Sequence, residues 1–402
     1  MIRFAAESDP GKRRDNNEDA HLTDPENGLF VVADGVGGRA CGEIASAMTI
    51  ETFRQAAKAL RNTVLRYAQN PGRNTRNSVL EALDEVCQQA SRRVYEEAES
   101  EGRRGMTTTV VGVVVGGGSV FLAHVGDSRA YLLREGELLQ LSDDHSMVNE
   151  LVRSGQMTYE EAKRSRYRNV ITRAIGLHPT VQPDVAAIEI LPGDRIVLCS
   201  DGLSDPVKPQ QLAQLLSRGT PAQAVQGLIQ GALDAGGPDN VTVIVIDPDA
   251  SPQAEAAAAR AEIMERLFLF EDLPFHARAR VGRMVNEMFV TPGQTVVDQG
   301  AMDRVMYVVV QGSLIATRDG VKLAEFGPGD HFGELALVDA QPRSATVTAT
   351  GFGSLISIDR AALDEFSQRE PELGIRILWK LLGTVAQRLR ETNTKVVEKK
   401  HT

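Results

Sequence analysis

Five acidic turns lie within the first 240 residues, and most of them adjoin a short apolar run rich in β-branched residues. The turns are Glu18-Asp19, Asp34-Gly35, Gly126-Asp127, Asp201-Gly202 and Asp239-Asn240. The runs LFVVADG, VFLAHVGD and RIVLCSDG end at such a turn, and VTVIVI begins at one. These runs predict strands, so each carboxylate stands at the tip of a rigid element, beside a glycine in most cases. We expect several of these strand tips to converge.

Carboxylates that converge within a few ångströms repel one another, so their pKa values rise or they bind cations. Ligand sets made only of oxygen favour hard ions, which means Mg²⁺ or Mn²⁺ rather than Zn²⁺. The acidic turns therefore predict a carboxylate-lined metal site.

Composition narrows the class of protein. The chain has 402 residues, which suggests two or three domains, and a net charge of −10, which argues against nucleic-acid binding. Its cysteines, Cys41, Cys87 and Cys199, have neither zinc-type spacing nor an even number for disulfide pairing. The start, MIRFAAESD, lacks the apolar core of a signal peptide, and no apolar run is long enough to span a membrane. We therefore expect a cytoplasmic protein without a membrane or nucleic-acid partner.

The apolar spacing alternates between helix-like and strand-like segments. It predicts helices at 44–68, 78–100 and 209–234, a polar helical region at 146–168, and strands at 1–40, 107–141, 185–199 and 241–246. Paired long helices and consecutive strands are typical of an α+β fold.

A boundary follows the last of these strands. The segment DPDASPQAEAAAARAEIMERL begins with structure breakers and continues with strong helix formers. Short strands punctuated by Gly and Pro follow at 288–358, and a closing helix is predicted at 360–395. The predicted organisation is a first domain at 1–248, a helical linker at 249–265, a second domain at 266–395 and a tail at 396–402.

Seven motifs of the first domain occur in one order. They are RDNNEDA (14–20), VVADGVGG (31–38), TTT (107–109), HVGDSR (124–129), DDHS (143–146), SDGL (200–203) and GGPDNVT (236–242). In this order, over residues 1–247, the chain resembles the 2C-type metal-dependent Ser/Thr protein phosphatases. The resemblance implies a four-layer αββα sandwich with a two-metal centre at one end.

The resemblance also implies roles for single residues. Asp34 would bridge two Mn²⁺ or Mg²⁺ ions, and Asp19 would orient a metal-bound water. The remaining implied metal ligands are Glu18, the Gly35 carbonyl, Asp201 and Asp239, with Asp127 and Asp201 matching a third ion of some members. Arg14 would hold the phosphate, since its planar fork matches two phosphoryl oxygens. The predicted catalytic residues are thus Arg14, Asp19 and Asp34.

One position departs from the family pattern. Some members carry a histidine directly after the Asp-Gly turn, where it has been assigned as the acid for the leaving group, and this chain has Val36. The proton would then come from metal-bound water, from His145 or from His124, and the sequence does not choose among them.

The stretch GPGDHFGELALVDAQPRSATVTA (327–349) resembles the phosphate-binding cassette of cyclic-nucleotide-binding domains. The resemblance covers residues 264–392 and implies a β-roll with flanking helices. Glu334 would bind the ribose 2′-hydroxyl and Arg343 the cyclic phosphate, and a helix begins after Gly333. The implied pocket comprises Gly333, Glu334, Leu335, Ala336, Arg343, Ser344 and Ala345. Ser344 does not decide between ligands, and cAMP is favoured over cGMP.

The sequence thus predicts a phosphatase acting on phosphoserine and phosphothreonine proteins, paired with a cognate Ser/Thr kinase. Cyclic nucleotide would modulate it through the closing helix. One alternative is a catalytically weak scaffold with the phosphatase fold. Another is a barrel that binds no nucleotide and docks or recruits a protein, with Glu334 and Arg343 forming an ordinary ion pair. The barrel and its helices also offer a surface for a dimer.

Overall fold

The structure is a computed structural model that describes residues 2–36, 41–100, 103–158, 161–162, 165–167, 170–248, 269, 285–339 and 341–398. The chain divides into two compact units, Met1–Ala257 and Ala258–Thr402. The predicted linker at 249–265 lies outside the described residues, so the domain limits on either side of it stay predictions. No helix among the described residues is both long and apolar enough to cross a membrane.

The first unit contains eleven described strands and six described helices. The strands are β1 (Arg3–Asp9), β2 (Asp19–Asp24), β3 (Leu29–Val36), β4 (Thr107–Thr108), β5 (Val110–Gly116), β6 (Ser119–Val125), β7 (Arg129–Arg134), β8 (Glu137–Gln140), β9 (Asp184–Glu189), β10 (Arg195–Cys199) and β11 (Val241–Asp247). The helices are α1 (Gly42–Gln69), α2 (Arg73–Ser100), α3 (Met147–Arg153), α4 (Asp201–Ser204), α5 (Pro209–Leu216) and α6 (Pro221–Asp234).

The strands form two antiparallel sheets. One has the order β1-β11-β10-β7-β8, and the other has the order β2-β3-β5-β6-β9 with β4 paired to β3. Phe4 of the first sheet contacts Phe30 of the second, with ring centroids 5.3 Å apart. Helices α1 and α2 cover the second sheet, and α5 and α6 cover the first. The four-layer α+β sandwich expected from the sequence is confirmed.

The helical layers form because one face of each helix is apolar. Phe53 and Leu60 of α1 and Leu83 of α2 are buried against Val31 and Phe121 of the second sheet. Each such side chain contributes about 1.5–3 kcal/mol when it leaves water. The strand tips, which carry the acidic turns, are thereby fixed to a rigid double layer.

The helical stretch predicted at 209–234 is two helices in the structure. The stretch forms α5 and α6 because Thr220 starts a new helix as its N-cap. The Gln223 amide donates to the Thr220 hydroxyl at 3.4 Å, and the Thr220 amide donates to the Gln223 side-chain oxygen at 2.9 Å. Within the polar region 146–168, the described helix of seven residues is α3.

The second unit contains two antiparallel four-stranded sheets, in the orders β12-β19-β14-β17 and β13-β18-β15-β16. Its strands are β12 (Val285–Val290), β13 (Thr295–Val297), β14 (Val305–Gln311), β15 (Leu314–Arg318), β16 (Val321–Phe326), β17 (His331–Phe332), β18 (Thr346–Ala349) and β19 (Gly353–Asp359). Its helices are α7 (Leu335–Val338), α8 (Arg360–Arg369) and α9 (Pro371–Glu398). This arrangement is consistent with the expected β-roll.

The predicted single closing helix at 360–395 was wrong in one respect. It is two helices, α8 and α9, separated at Glu370, whose φ of −130° and ψ of 69° are not helical. A residue before proline is forced out of the helical region, and Pro371 then starts α9.

Candidate functional site

Six carboxylates lie at the strand ends of the first unit. We call them the acidic cluster: Glu18, Asp19, Asp34, Asp127, Asp201 and Asp239. Asp19 starts β2 and pairs directly across the ladder with Asp34 near the end of β3. The other tips follow β6, follow β10 and precede β11. The sheets thus bring together acidic turns that are far apart in the sequence.

Carboxylates of the acidic cluster repel one another and raise one another's pKa values. Burial raises the pKa of Asp34 well above its usual range, and repulsion from Asp19, Asp201, Asp127 and Asp239 raises it further. Burial likewise raises the pKa of Asp19 to about 6, although hydrogen bonds from Thr242 and Ser200 oppose the shift.

The same holds on the other side of the cluster. Burial raises the pKa of Asp201 well above its usual range, and Asp127 adds to the shift. The pKa of Asp127 rises to about 6, first through burial and then through Asp144 and Asp205. Without cations, the cluster favours protonated carboxyls, which is the behaviour of a site built to hold positive charge.

One buried oxygen of the cluster indicates that a cation fits there. Asp19 Oδ2 accepts a hydrogen bond from Ser200 Oγ at 2.8 Å, whereas Asp19 Oδ1 is buried and has no hydrogen-bond partner among the described residues. Leaving such an oxygen unsatisfied costs about 1–3 kcal/mol, more when it is charged. A divalent cation in the cluster, or a water held beside it, would satisfy this oxygen, and the oxygen-only donor set suits Mg²⁺ or Mn²⁺.

Glycines allow the backbone to close around the cluster. The Gly35 amide donates to the Glu18 carbonyl at 3.2 Å, and a Cβ at Gly35 would lie 2.3 Å from the Gly42 carbonyl oxygen. A Cβ at Gly42 would in turn lie 2.9 Å from Cδ of Glu18. Sequence reasoning identified Gly35 and missed Gly42, which follows the Cys41 cap position at the start of α1.

Asn240 was also missed as a functional side chain. It is 5% exposed, and its Oδ1 accepts from the Glu18 amide at 2.8 Å. Its Nδ2 donates to the carbonyls of Pro10 and Asn16 at 3.0 and 2.8 Å. Asn240 therefore clamps the segment 10–18 to the turn that carries Asp239. The only sequence signal was its place beside Asp239.

Arg14 lies at the edge of the cluster. Its side chain is 53% exposed, and its NH2 donates to Asp239 Oδ2 at 2.8 Å. That contact uses one nitrogen of the guanidinium, which has five N–H groups. The predicted phosphate-binding role of Arg14 is compatible with this place and stays a prediction, as do the ligand roles of the acidic cluster.

The two histidines considered as acids support the Asp127 turn instead. The His145 amide donates to the Gly126 carbonyl at 2.7 Å, and the Gly126 amide donates to His145 Nδ1 at 3.2 Å. His124 is fully buried, with its ring centroid 4.7 Å from that of His145. Burial and then His145 lower the pKa of His124 to about 3, so at neutral pH its ring is the neutral imidazole, which is a poor acid.

His124, His145 and Asp184 are also a group of metal-ligand type, with one donor atom each within 4.8 Å among the described residues. However, Arg173 NH1 lies 3.3 Å from His145 Nε2 and 3.2 Å from Asp184 Oδ1. This guanidinium already provides the positive charge there, and a second cation would be repelled. The group is a polar support for the turn, with both histidines buried and Asp184 half-exposed.

In the second unit, the predicted pocket surrounds the start of α7. Gly333 has φ +82°, Glu334 and Ala336 are 2% and 6% exposed, and Leu335 is 49% exposed. Ser344 and Ala345 lead from Arg343 into β18. These residues are adjacent, and their roles in nucleotide binding stay predictions.

Arg343 has a partner that sequence reasoning missed. Its Nε and NH2 donate to the two Asp303 carboxylate oxygens at 2.8 and 2.7 Å. A Cβ at Gly333 would lie 2.6 Å from Arg343 NH1, so this nitrogen faces the start of the cassette. Hydrogen bonding to Arg343 lowers the pKa of Asp303. Asp303 thus holds one edge of the guanidinium, while NH1 lies beside Gly333.

Comparison with known proteins identifies the families that each unit resembles. A family profile described as protein phosphatase 2C matches residues 12–233, and one described as cyclic nucleotide-binding domain matches residues 287–370. The serine/threonine protein phosphatase PstP of Mycobacterium tuberculosis is 40% identical over 248 residues, which are 61% of this chain and 45% of PstP. The matched segment therefore spans less than half of that relative.

A second relative and the isolated catalytic domain of PstP are covered almost completely. A putative 2C-type protein phosphatase of Streptococcus pyogenes is 34% identical over 249 residues, which are 61% of this chain and 97% of the relative. The crystal structure of the PstP catalytic domain in complex with two manganese ions has a TM-score of 0.52 and 38% identity, covering 62% of this chain and 99% of that one.

Proposed function

Because this chain belongs to the protein phosphatase 2C family and carries a C-terminal cyclic nucleotide-binding domain, we propose that it is a metal-dependent protein Ser/Thr phosphatase whose activity responds to cyclic nucleotide. The observation that carries the catalytic part is the acidic cluster, with Arg14 at its edge and a buried Asp19 oxygen that has no hydrogen-bond partner in the described part of the chain. Its relatives named as Ser/Thr phosphatases support the same activity.

The residues divide the work as follows. Asp34, Asp201 and Asp239, with Glu18 and the Gly35 carbonyl, would hold two Mn²⁺ or Mg²⁺ ions. Asp127 with Asp201 would hold a third. When bound, divalent cations at such a site acidify water and neutralise phosphoryl charge.

Side chains of the protein set the geometry for this chemistry. Asp19 orients the attacking water through Oδ1, while Ser200 fixes Oδ2 at 2.8 Å. Arg14 exchanges its contact with Asp239 for the phosphoryl oxygens, and its fork holds the phosphorus in line for attack. No nucleophilic side chain is needed. The buried, neutral His124 is unsuited to protonate the leaving alkoxide, and His145 is engaged with Gly126.

Substitution at Asp34 tests the catalytic proposal. Asp34→Asn removes the carboxylate that would contact both ions, so we expect loss of Mn²⁺ binding in calorimetry and a rate on a phosphothreonine peptide that is lower by about 100-fold or more. Asp24→Asn, at the opposite end of β2, is the matched control, and we expect it to keep both. Metal-dependent hydrolysis that survives in Asp34→Asn would show that the site is elsewhere.

For the second unit we propose a pocket in which Arg343 binds the cyclic phosphate and Glu334 the ribose, with cAMP favoured over cGMP. The fixed guanidinium of Arg343, 6% exposed and held by Asp303, supports a preformed anion site. Regulation requires that nucleotide bind two states of the protein unequally. The partners would be phosphoproteins of a cognate Ser/Thr kinase, in a cytoplasm that keeps the free Cys41, Cys87 and Cys199 reduced.

Calorimetry on the full chain tests the regulatory proposal. We expect cAMP to bind the native protein and to bind Arg343→Ala at least 10-fold more weakly. Phosphatase rates with and without cAMP or cGMP then measure the coupling. Equal heats for both proteins would favour a docking module, and unchanged rates despite binding would contradict regulation.

A further inference from the structure

We propose that Lys12 and Arg13, next to Arg14, bind a second negative charge on the substrate. The preferred substrates would then be phosphopeptides with another phosphate or an acidic residue close to the phosphate that is hydrolysed. This inference deepens the proposed function and rests on it. It is carried by how rigidly the segment Lys12–Arg14 is attached to the acidic cluster and by which of its charges are already paired. We call this segment the basic loop.

The backbone of the basic loop is pinned to the turn that carries Asp239. Asn240 Nδ2 donates to the carbonyls of Pro10 and Asn16, at 3.0 and 2.8 Å, and so fixes the chain on either side of the loop. The Lys12 amide donates to the Gly237 carbonyl at 2.9 Å.

Gly11, just before the loop, packs so closely on the turn that no side chain would fit there. It has φ +75°, and a Cβ there would lie 2.2 Å from the Asp239 carbonyl oxygen. Because the backbone is already ordered, binding an anion at this loop costs mainly the side-chain entropy of the cations.

The charges of the loop are paired unequally. Arg14 contacts Asp239 at 2.8 Å. Lys12 and Arg13 are exposed, and neither has a carboxylate within ion-pair distance among the described residues. Of the nearby acids, Asp9 is half-buried and its Oδ1 accepts from the Gly11 amide at 2.7 Å, and Asp15, which follows Arg14, is exposed. Two cations are therefore available beside the residue that would hold the phosphate.

Distances along the chains match the proposal. Consecutive Cα atoms are 3.8 Å apart, so the Cα atoms of Lys12 and Arg13 lie within about 8 Å of that of Arg14. In an extended peptide, residues one to three positions from the phosphorylated one lie about 3–10 Å away. Their acidic groups are thus within reach of the long Lys12 and Arg13 side chains once Arg14 holds the phosphate.

The expected effect is modest because both cations are exposed. One exposed ion pair is worth a factor of about 1.5 to 5, so two together give about 2- to 25-fold. The effect should appear mainly in KM, because a flanking charge is bound equally in the ground and transition states. It should also shrink with added salt.

The test compares three phosphothreonine peptides with the same length: one with neutral flanks, one with a glutamate two residues away and one with a second phosphothreonine. The full chain carrying Lys12→Ala and Arg13→Ala is set against a control carrying Lys58→Ala and Arg61→Ala. The control removes the same charge from exposed positions of α1. The ratio of kcat/KM for each charged peptide to that for the neutral peptide is measured at two salt concentrations.

We expect the native protein and the control to prefer the charged peptides by about 2- to 25-fold, through KM. The loop variant should lose most of that preference and its salt dependence. An equal ratio in the loop variant and the control would overturn the inference while leaving the phosphatase activity intact.

Binding separates the two proposals. Fluorescence anisotropy of the doubly phosphorylated peptide measures its binding to the basic loop independently of hydrolysis. Charge-selective binding that depends on Lys12 and Arg13, in a protein that hydrolyses none of the peptides, would support the loop and contradict the proposed catalysis. Binding that is equal in all variants would overturn the loop.

Discussion

Replacing Asn240 by alanine should loosen the acidic cluster without touching any carboxylate. The change removes three hydrogen bonds, to the Glu18 amide at 2.8 Å and to the carbonyls of Pro10 and Asn16 at 3.0 and 2.8 Å. Each bond contributes about 0.5–1.5 kcal/mol net, which sums to about 1.5–4.5 kcal/mol. Water can reach the exposed Pro10 and Asn16, so the middle of this range, about 3 kcal/mol, is expected.

The assay is calorimetric unfolding of the full chain, with and without Mn²⁺. For a unit of this size, 1 kcal/mol moves the Tm by about 2–4 °C, so the transition of the first unit should fall by about 6–12 °C. The second unit should be unaffected. Because Glu18 follows the lost clamp, the affinity for Mn²⁺ should also weaken.

Asn27→Ala is the matched control. Its Nδ2 bonds to Asp24 Oδ2 at 2.7 Å within a single turn, so its loss should cost no more than about 1 kcal/mol. If Asn240→Ala shifts the Tm no more than Asn27→Ala does and binds Mn²⁺ normally, the clamp does not hold the cluster together.

Three other outcomes are expected. In EDTA, the unfolding free energy should fall as the pH rises from about 4 through 6, because the pKa values of Asp19 and Asp127 are raised to about 6 in the folded state. Mn²⁺ should abolish this slope, and a flat profile in EDTA would contradict the raised pKa values. Gly202→Ala should destabilise the first unit by about 1–3 kcal/mol in urea unfolding, since its Cβ would lie 1.9 Å from the Asn240 carbonyl oxygen. At Gly72 the nearest atom to a Cβ is 4.0 Å away, so Gly72→Ala should be tolerated, and equal unfolding midpoints for the two variants would refute the clash. Asp303→Ala should weaken cAMP binding in calorimetry by freeing the guanidinium of Arg343, and unchanged or tighter binding would mean that the carboxylate competes with the ligand instead.

The layers of the fold followed from the sequence because local periodicity decides them. Apolar spacing located α1 and α2, and β-branched runs located β3, β6, β10 and β11. The broken helices were missed for a physical reason. Apolar residues continue across Pro371, so the core-facing pattern is uninterrupted while the backbone is not.

The candidate site was predictable only in part. Carboxylates at strand ends are visible in sequence, because each follows or precedes its own strand. Asn240 was not, since its partner Glu18 is 222 residues away and an asparagine after an aspartate reads as a turn. Asp303 was hidden similarly, because it contacts Arg343 across 40 residues and belongs to no recognised motif.

The glycines explain why the acidic turns, rather than the carboxylates alone, define the site. A Cβ at Gly11 would lie 2.2 Å from the Asp239 carbonyl, one at Gly202 would lie 1.9 Å from the Asn240 carbonyl, and one at Gly35 would lie 2.3 Å from the Gly42 carbonyl. At each contact, one backbone approaches another closer than any side chain allows. Repulsion among the carboxylates would push these turns apart, and the close packing of their backbones holds them together. The positions of the oxygens are therefore set by the backbone before a cation binds, which is the preorganisation that electrostatic catalysis requires.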